Sequence, residues 1–143
     1  MVTPENTFNL SPSDHCLVTA DRGMLKQVMR ILCDNAVKYT PKGGIITMGV
    51  ARQGGLCILT MTDNGPGIPR DELPKIFERF YRSDSARKAE NGGHGLGLSI
   101  ARIIVMAHGG KLRVRSKVGV GTTFSVELKT DASPQFPAPA SNA

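Results

Sequence analysis

The sequence predicts a single domain of mixed helices and strands. Three observations support this class: a length of 143 residues, an apolar fraction of 40%, and apolar spacings that change several times between the helix and strand periods. One hydrophobic core is expected at this length, and the composition excludes a wholly disordered chain. Glycine is frequent, at 16 residues, which indicates many turns or close backbone contacts.

The first strong element is an amphipathic helix. Asp21 stands at an N-cap position, and residues 25–37 place apolar side chains at three- and four-residue spacing. Thr40-Pro41 ends the helix because the residue before proline avoids the helical conformation. Upstream of the helix we expect a short strand at His15–Ala20.

A hairpin, a short helix and a long polar loop follow. Ile45–Arg52 and Leu56–Asp63 are strand-like runs, and Gln53-Gly54-Gly55 between them is a hairpin signal. We expect a short helix at Asp71–Phe80, followed by the charged, glycine-rich segment Arg82–Gly95. A loop of that length inside a compact domain is more often functional than filler.

The C-terminal half predicts a second helix and a second hairpin. The helix is Leu96–His108, and two glycines end it. Lys111–Ser116 and Thr122–Leu128 alternate polar and apolar residues, with Phe124 and Val126 on one face. A glycine-containing turn joins these two strands.

These elements define one domain at residues 15–130. Residues 1–14 are treated as a truncation or linker remnant, and the Pro/Ala/Ser-rich residues 131–143 as a disordered tail. The chain has no signal peptide and no run of ~20 apolar residues, so we expect a cytoplasmic location. Its three widely spaced cysteines indicate free thiols in a reducing compartment.

The charge balance favours an anionic partner without favouring nucleic acid. Eighteen Lys and Arg against twelve Asp and Glu give a net charge of +6, which suits a phosphorylated small molecule, nucleic acid or an acidic membrane. The cations form no long block, and only 5% of the residues are aromatic, which disfavours a nucleic-acid tail, a polybasic anchor and single-strand stacking. The chain also holds neither GxxxxGK[ST] nor a complete GxGxxG at a strand–helix junction.

Two residues near the end of the first helix suit a nucleotide site. Asn35 lies off the apolar stripe and shares one flank with Ile31 and Lys38. Its neutral amide oxygen is a ligand type that Mg²⁺ accepts, and Lys38, one turn on, could approach the same phosphates. A single asparagine on a helix flank is nevertheless most often only solvated.

Asp63 ends a strand and is followed closely by Gly65 and Gly67. A carboxylate there could accept a hydrogen bond from the exocyclic amine of adenine and would reject guanine, which presents a carbonyl. The glycines would let the backbone pass close to a flat base. The alternative is that Asp63 only closes the loop as an Asx turn.

The segment Gly92–Leu98 leads into the second helix and is rich in glycine. Unobstructed backbone amides at a helix N-terminus form an anion site. Arg79, Arg82, Arg87 and Lys88 lie upstream, so a cationic loop could fold over a polyphosphate.

The chain resembles sensor histidine kinases in five motifs that stand in order. The N box is LKQVMRILCDNAVKYTPKGG (25–44), the first glycine box DNGPGIP (63–69), the F box IFERFYR (76–82), the second glycine box GGHGLGLSI (92–100) and the final glycine box GVGTTF (119–124). The resemblance is to the catalytic ATP-binding domain, of Bergerat fold, of bacterial two-component sensor histidine kinases. Hsp90, gyrase and MutL belong to the same wider family.

The resemblance implies an α/β sandwich with a mixed sheet of about five strands, three helices on one face and a mobile ATP lid. It implies ATP and Mg²⁺ as ligands, with Asn35 as the magnesium ligand and Lys38 as a phosphate contact. Asp63 would read the adenine beside Tyr39, while Phe77 and Phe80 would anchor the lid. Catalysis would rest on Asn35, Lys38, Arg79 and Arg82. The other implied nucleotide contacts are Gly65, Gly67, Ile68, Gly93, His94, Gly95, Leu96, Gly97, Leu98 and Thr123.

Two positions depart from the family's pattern. Ile31 stands one turn before Asn35, where hydrolytic relatives place a glutamate and many sensor kinases an asparagine. Isoleucine cannot take a proton from water, which argues against an ATPase and leaves open either weakened phosphoryl transfer or simple packing. His94 replaces a small residue. We do not expect it to accept the phosphoryl group, because that histidine lies on a separate dimerisation helix, which is absent here.

We therefore expect the catalytic ATP-binding domain of a sensor histidine kinase. It would donate the γ-phosphoryl group to a histidine on a separate dimerisation domain, and its parent, a membrane-bound sensor, would act on a response regulator. Neither nucleic acid nor direct membrane contact is expected of this segment, which alone should bind ATP, dimerise poorly and not phosphorylate itself. Two alternatives stay open: a degenerate nucleotide-binding regulatory module, and an anti-sigma-factor-type serine kinase.

Overall fold

The structure is a computed structural model that describes residues 6–11, 14–78 and 97–130. In chain order the elements are β1 (Thr7–Leu10), α1 (Arg22–Tyr39), β2 (Ile45–Gln53), β3 (Leu56–Asp63), a 3-10 turn (Leu73–Lys75), α2 (Gly97–Ala107), β4 (Lys111–Lys117) and β5 (Gly121–Lys129). A mixed sheet with helices beside it confirms the predicted α/β fold.

The strands form one five-stranded sheet in the order β1-β2-β3-β5-β4. β1 pairs with β2 in parallel, and the remaining pairings are antiparallel. The register places Asp63 opposite Ile46 of β2 and opposite Thr122 of β5. Because side chains alternate along a strand, these three residues share one face, and their sequence neighbours point to the other.

Both helices cover the same face of the sheet. The core lies between the two layers and consists mainly of Val28, Leu32, Ala36, Ile46, Met61, Ala101, Ile104, Val105, Leu112, Phe124, Val126 and Leu128. Neither helix packs on the opposite side of the sheet, which we call the open face. The sheet therefore has one apolar, covered face and one polar face, as antiparallel sheets commonly do.

Helix α1 begins and ends where the sequence predicts. The Asp21 carboxylate accepts a hydrogen bond from the Met24 amide at 2.9 Å, which caps the first turn. The helix ends at Tyr39 because Thr40, which precedes Pro41, takes an extended conformation. Tyr39 is consequently held at the point where the chain leaves the helix for the sheet.

The N-terminal segment differs from the prediction. Thr7–Leu10 forms β1 at one edge of the sheet, so the sheet begins before residue 15, the expected start of the domain. The predicted strand at His15–Ala20 is wrong, because these residues make no strand pairing on their way to α1. Val18 packs against the core instead, whereas its neighbour Leu17 is exposed.

The predicted helix at Asp71–Phe80 is also corrected over residues 71–78, the part that the structure describes. The Glu78 amide donates to the carbonyl of Lys75 at 2.9 Å, which is the three-residue span of a 3-10 turn. Pro74 has no amide hydrogen and so favours a short turn over a continuous α-helix. In the described ranges, two α-helices rather than three therefore cover the sheet.

The cysteines behave as the sequence indicates. Cys16, Cys33 and Cys57 are free thiols. Burial, together with a hydrogen bond to Cys16, raises the pKa of the Cys57 thiol to about 12.

None of the helices in the described ranges is long and apolar enough to cross a bilayer.

Candidate nucleotide site

Residues 63–69, which we call the glycine loop, lie against the end of α1. A Cβ atom at Gly65 would stand 2.8 Å from the carbonyl oxygen of Tyr39 and 3.1 Å from Oδ1 of Asp63. Only a residue without a side chain permits this approach. The loop therefore joins the last residue of α1 to the last residue of β3, and both Tyr39 and Asp63 are half-buried there.

Asp63 is a carboxylate with a fixed orientation. Its Oδ1 accepts a hydrogen bond from the Gly65 amide at 2.8 Å, which is the Asx turn that the sequence left open. Burial raises the pKa of this carboxyl, and backbone hydrogen bonds with Gly65 and Thr122 partly oppose the rise. A charge that is costly to bury, set in a glycine-lined recess, is typical of a functional site.

The glycine loop is also tied to the turn between β4 and β5. The Ile68 amide donates to Oγ of Ser116 at 2.7 Å, and the Gly119 amide donates to the Pro66 carbonyl at 2.9 Å. Gly67 has a φ of 81°, and a Cβ there would lie 2.9 Å from a Cα atom of the turn. Sequence reasoning missed Ser116, because its role depends on a contact between distant segments that no local pattern displays.

The two threonines of the final glycine box point to opposite faces. Thr122 is buried, pairs with Asp63, and has its hydroxyl 2.7 Å from Oγ of Ser116. Thr123 pairs with Thr62, and their hydroxyls lie 3.0 Å apart on the open face. The structure therefore places Thr122, and not the expected Thr123, beside Asp63.

One flank of α1 connects the glycine loop to the start of α2. Ile31, Asn35 and Tyr39 follow at four-residue spacing, are all half-buried, and form one stripe of about 12 Å along the helix axis. Tyr39 meets the glycine loop at one end. At the other end Ile31 packs against the core, and a Cβ at Gly97, the first residue of α2, would lie 3.3 Å from its Cγ2. Asn35 lies midway between the two ends.

Phe77, the expected lid anchor, is fixed between the core and α2. Its ring packs edge-on against Phe124, with centroids 6.3 Å apart and planes at 79°. The guanidinium of Arg102 lies 5.8 Å from the same ring. Leu98 is half-buried against the core, whereas Lys38 is exposed on α1.

The predicted contacts thus separate into three groups. The structure brings together Tyr39, Asp63, Gly65, Gly67 and Ile68 at one end of the stripe. Gly97 and Leu98 lie at its other end, beyond Asn35. Arg79, Phe80, Arg82, Gly93, His94, Gly95 and Leu96 lie outside the described residues.

The donor set fits a magnesium ion that a nucleotide would help to hold. Among the described residues, no group of three or more His, Cys, Asp or Glu could bind an ion. Asn35 offers one amide oxygen, and Mg²⁺ commonly takes one or two protein ligands with phosphates and waters completing its shell. Separately, at the Tyr39 end of the stripe, the hydroxyl oxygen of Thr40 is buried and has no hydrogen-bond partner in the described part of the chain, which leaves one buried polar group unsatisfied beside the glycine loop.

Comparison with known proteins identifies the family. The family model described as "Histidine kinase-, DNA gyrase B-, and HSP90-like ATPase" matches residues 20–132. The chain belongs to this family. The sensor histidine kinase YkoH of Bacillus subtilis is 47% identical over 112 residues, which are 78% of this chain and 24% of YkoH. The chain spans less than a third of the length of such curated relatives.

Solved structures lead to the same type of domain. The mycobacterial sensor histidine kinase MprB superposes with a TM-score of 0.79 at 34% identity, covering 88% of this chain and 84% of that chain. Full-length ShkA, solved in complex with AMPPNP, superposes with a TM-score of 0.70 at 32% identity, covering 95% of this chain and 28% of that one. These similarities confirm the expected catalytic ATP-binding domain of the sensor histidine kinase type.

Proposed function

We propose that this domain binds Mg-ATP along the Ile31–Tyr39 stripe and donates the γ-phosphoryl group to a histidine on a separate dimerisation domain. The observation that carries the proposal is the half-buried Asp63, whose carboxylate Gly65 orients beside Tyr39. An acceptor held there matches the exocyclic amine of adenine. It would face the carbonyl of guanine, which leaves a buried acceptor without a partner at a cost of about 1–3 kcal/mol.

The direction of the nucleotide follows from the two ends of the stripe. The base would occupy the glycine-loop end, where Tyr39 supplies an aromatic face. The phosphates would extend past Asn35 toward Gly97, where the N-terminal end of α2 favours anions through the helix dipole. ShkA, a structural relative, was solved with an ATP analogue, which supports a nucleotide in this fold.

Positioning and charge neutralisation would supply most of the catalysis, as in other phosphoryl transfers. Mg²⁺, when bound, neutralises the phosphate oxygens and fixes their orientation. Asn35 would hold the ion from α1, and the exposed Lys38 would approach the phosphates from the next turn. The acceptor histidine and the response regulator that receives the phosphoryl group would belong to other segments of the parent sensor and its partner.

Ile31 supports transfer to a protein group over hydrolysis. The side chain is half-buried, packs against the core and lies beside Gly97. An alkyl group neither removes a proton from water nor orients a water for attack. We therefore expect slow ATP hydrolysis by the isolated domain.

Calorimetric titration with nucleotides tests the binding site. Wild-type protein should bind Mg-ATP about 5- to 150-fold more tightly than Mg-GTP, and Asn35→Ala should abolish Mg-ATP binding. Asp34→Ala removes an exposed neighbour on the same helix and is the matched control that should keep the affinity. Unchanged Mg-ATP affinity in Asn35→Ala would contradict the assignment.

Phosphoryl transfer in trans tests the reaction. The domain is mixed with its cognate dimerisation domain and ATP labelled at the γ-phosphate. Acid-labile phosphohistidine is the expected product. Bound ATP without any transfer would instead indicate a regulatory module, and acid-stable phosphoserine on a protein partner would indicate an anti-sigma-factor-type kinase. Ile31→Asn should be tolerated, and a higher transfer rate in this variant would show that isoleucine weakens the reaction.

A further inference from the structure

Strand β4 presents a row of cations on the open face. Lys111, Arg113, Arg115 and Lys117 alternate along the strand, and all four are exposed. Arg115 pairs with Thr123, so the row lies on the side of the sheet away from the helices and from the Asp63 carboxylate. The proposed phosphoryl transfer makes no use of it.

This row is poorly neutralised. Nε of Arg113 lies 2.7 Å from Oε2 of Glu127 on the neighbouring strand. Glu127 is the one acidic side chain that the described strands direct to the open face, while Lys129 adds a further cation to it. The face therefore carries a clear positive excess, which attracts an anionic partner.

A groove of about 540 Å³ runs beside the cations. Thr47, Thr62 and Thr123 form its floor, and Arg115 and Lys117 line the side toward β4. Two exposed apolar residues, Ile45 and Val120, line it as well. Its far end reaches the strand ends at Asp63, Ser116 and Thr122, so the groove adjoins the proposed nucleotide site there, while its floor and its cations lie on the open face.

We propose that this groove binds an acidic polypeptide segment of a partner protein. Carboxylates of the segment would pair with Arg115 and Lys117, and an apolar side chain between them would pack against Ile45 and Val120. The small threonines leave room for an extended backbone and offer it hydroxyl hydrogen-bond partners.

The lining favours a polypeptide over other anions. None of the described residues that line the groove is aromatic, whereas single-stranded nucleic acid is usually held by stacking on aromatic rings. A bilayer surface is bound by surfaces with a large apolar side, whereas Ile45 and Val120 are the two exposed apolar side chains among the lining residues that the structure describes. Protection of an edge strand explains cations on β4, but it explains neither the groove over β2 and β3 nor its apolar lining.

Fluorescence anisotropy with a labelled octapeptide of alternating glutamate and valine tests the proposal. Saturating AMPPNP is present, so the peptide cannot occupy the nucleotide site. Wild-type protein should bind the peptide, and Arg115→Gln/Lys117→Gln should weaken binding about tenfold, the effect of losing two exposed ion pairs. Lys26→Gln/Arg30→Gln removes the same charge from exposed positions of α1 and should change the affinity by less than about twofold.

A second variant separates shape from charge. Thr47→Leu fills the floor without changing the charge and should also weaken binding, with thermal unfolding used to confirm that it is folded. Equal loss in the two double variants would overturn the proposal, because binding would then depend on net charge alone. So would the absence of peptide binding, or tighter binding of phosphatidylserine vesicles or of a single-stranded oligonucleotide than of the peptide.

Discussion

The two faces of the sheet differ residue by residue along the same strands. Asp63 and Thr122 face the helices, where burial raises the pKa of the carboxyl. Their neighbours Thr62 and Thr123 face the other way and pair with each other through hydroxyls. The comparison teaches that strand register, more than composition, decides which polar residues belong to the nucleotide site. Substitutions at adjacent positions should therefore have very different effects.

Phe124→Ala should give the largest effect, a loss of about 3–5 kcal/mol in the free energy of unfolding. Phe124 is 3% exposed and supports the ring of Phe77, so truncation leaves a cavity under the lid anchor. The neighbouring Ser125→Ala should change stability by less than about 0.5 kcal/mol. Urea unfolding of both variants measures the contrast, and similar losses would refute the assignment of faces.

Asp63→Asn should weaken Mg-ATP binding about 100-fold. Asparagine has one acceptor oxygen where aspartate has two. With that oxygen held by the Gly65 amide, the NH2 group would present a donor to the adenine amine. Thr62→Val, one residue earlier on the open face, should leave the affinity within about threefold. Calorimetry measures both values. An Asp63→Asn protein that binds ATP normally would remove the main support for the proposed base site.

Ser116→Ala should lower the free energy of unfolding by about 1–2 kcal/mol, because it leaves the Ile68 amide without its acceptor. The glycine loop should also loosen, so ATP affinity should fall with stability. Hydrogen exchange monitored by NMR measures the protection of the Ile68 amide directly, and this protection should fall in the variant. Unchanged protection of that amide would show that the loop does not depend on Ser116.

The difference in stability between Asp63→Asn and wild type should depend on pH. Burial raises the pKa of Asp63 above its value in the unfolded chain, about 3.9. The folded state then binds the proton more tightly, so the ionised carboxylate costs stability above the folded pKa and costs nothing below the unfolded pKa. The variant should be more stable than wild type near about pH 7, and the difference should vanish near about pH 3. Urea unfolding at both values, with Asp34→Asn as control, tests the sign.

Thr123→Val should have the smallest effect on the nucleotide site. Its hydroxyl lies on the open face against Thr62, so Mg-ATP affinity should stay within about twofold. Thr122→Val should lower the affinity more, because its hydroxyl belongs to the network of Ser116 beside Asp63. The reverse order of effects would restore Thr123 as the nucleotide contact.

The sequence predicts the parts of the fold in which local patterns suffice. The Asp21 cap, the apolar stripe and Thr40-Pro41 define α1. Strand-like runs on either side of a hairpin signal define β2 and β3, and alternation defines β4 and β5. Alternation also predicts that Thr122 lies on the same face as the buried Phe124, two residues later. The final glycine box offers two adjacent hydroxyls, however, and the resemblance implies the second, Thr123, as the nucleotide contact.

The remainder depends on contacts between distant segments. Thr7–Leu10 alternates polar and apolar residues over only four positions, which is a weak strand signal. All four residues are exposed in the fold, and pairing with β2 makes them a strand. Ser116 has no local signal at all, since its partner Ile68 lies on a loop far away in the chain. Val18 belongs to an apolar run that resembles a strand, although the run makes no strand pairing and Val18 packs against the core from outside the sheet.

The contacts of the glycine loop make the proposed recognition of the nucleotide dependent on segments from nearly the whole length of the domain. Its partners are Tyr39 on α1, Ser116 on β4 and Gly119 in the last turn, so a fragment that ends before the final hairpin would lack part of the proposed base site. A chain emerging from the ribosome would gain its affinity for ATP in one late step, when that hairpin docks. ATP would then select completed molecules and, by mass action, keep them folded.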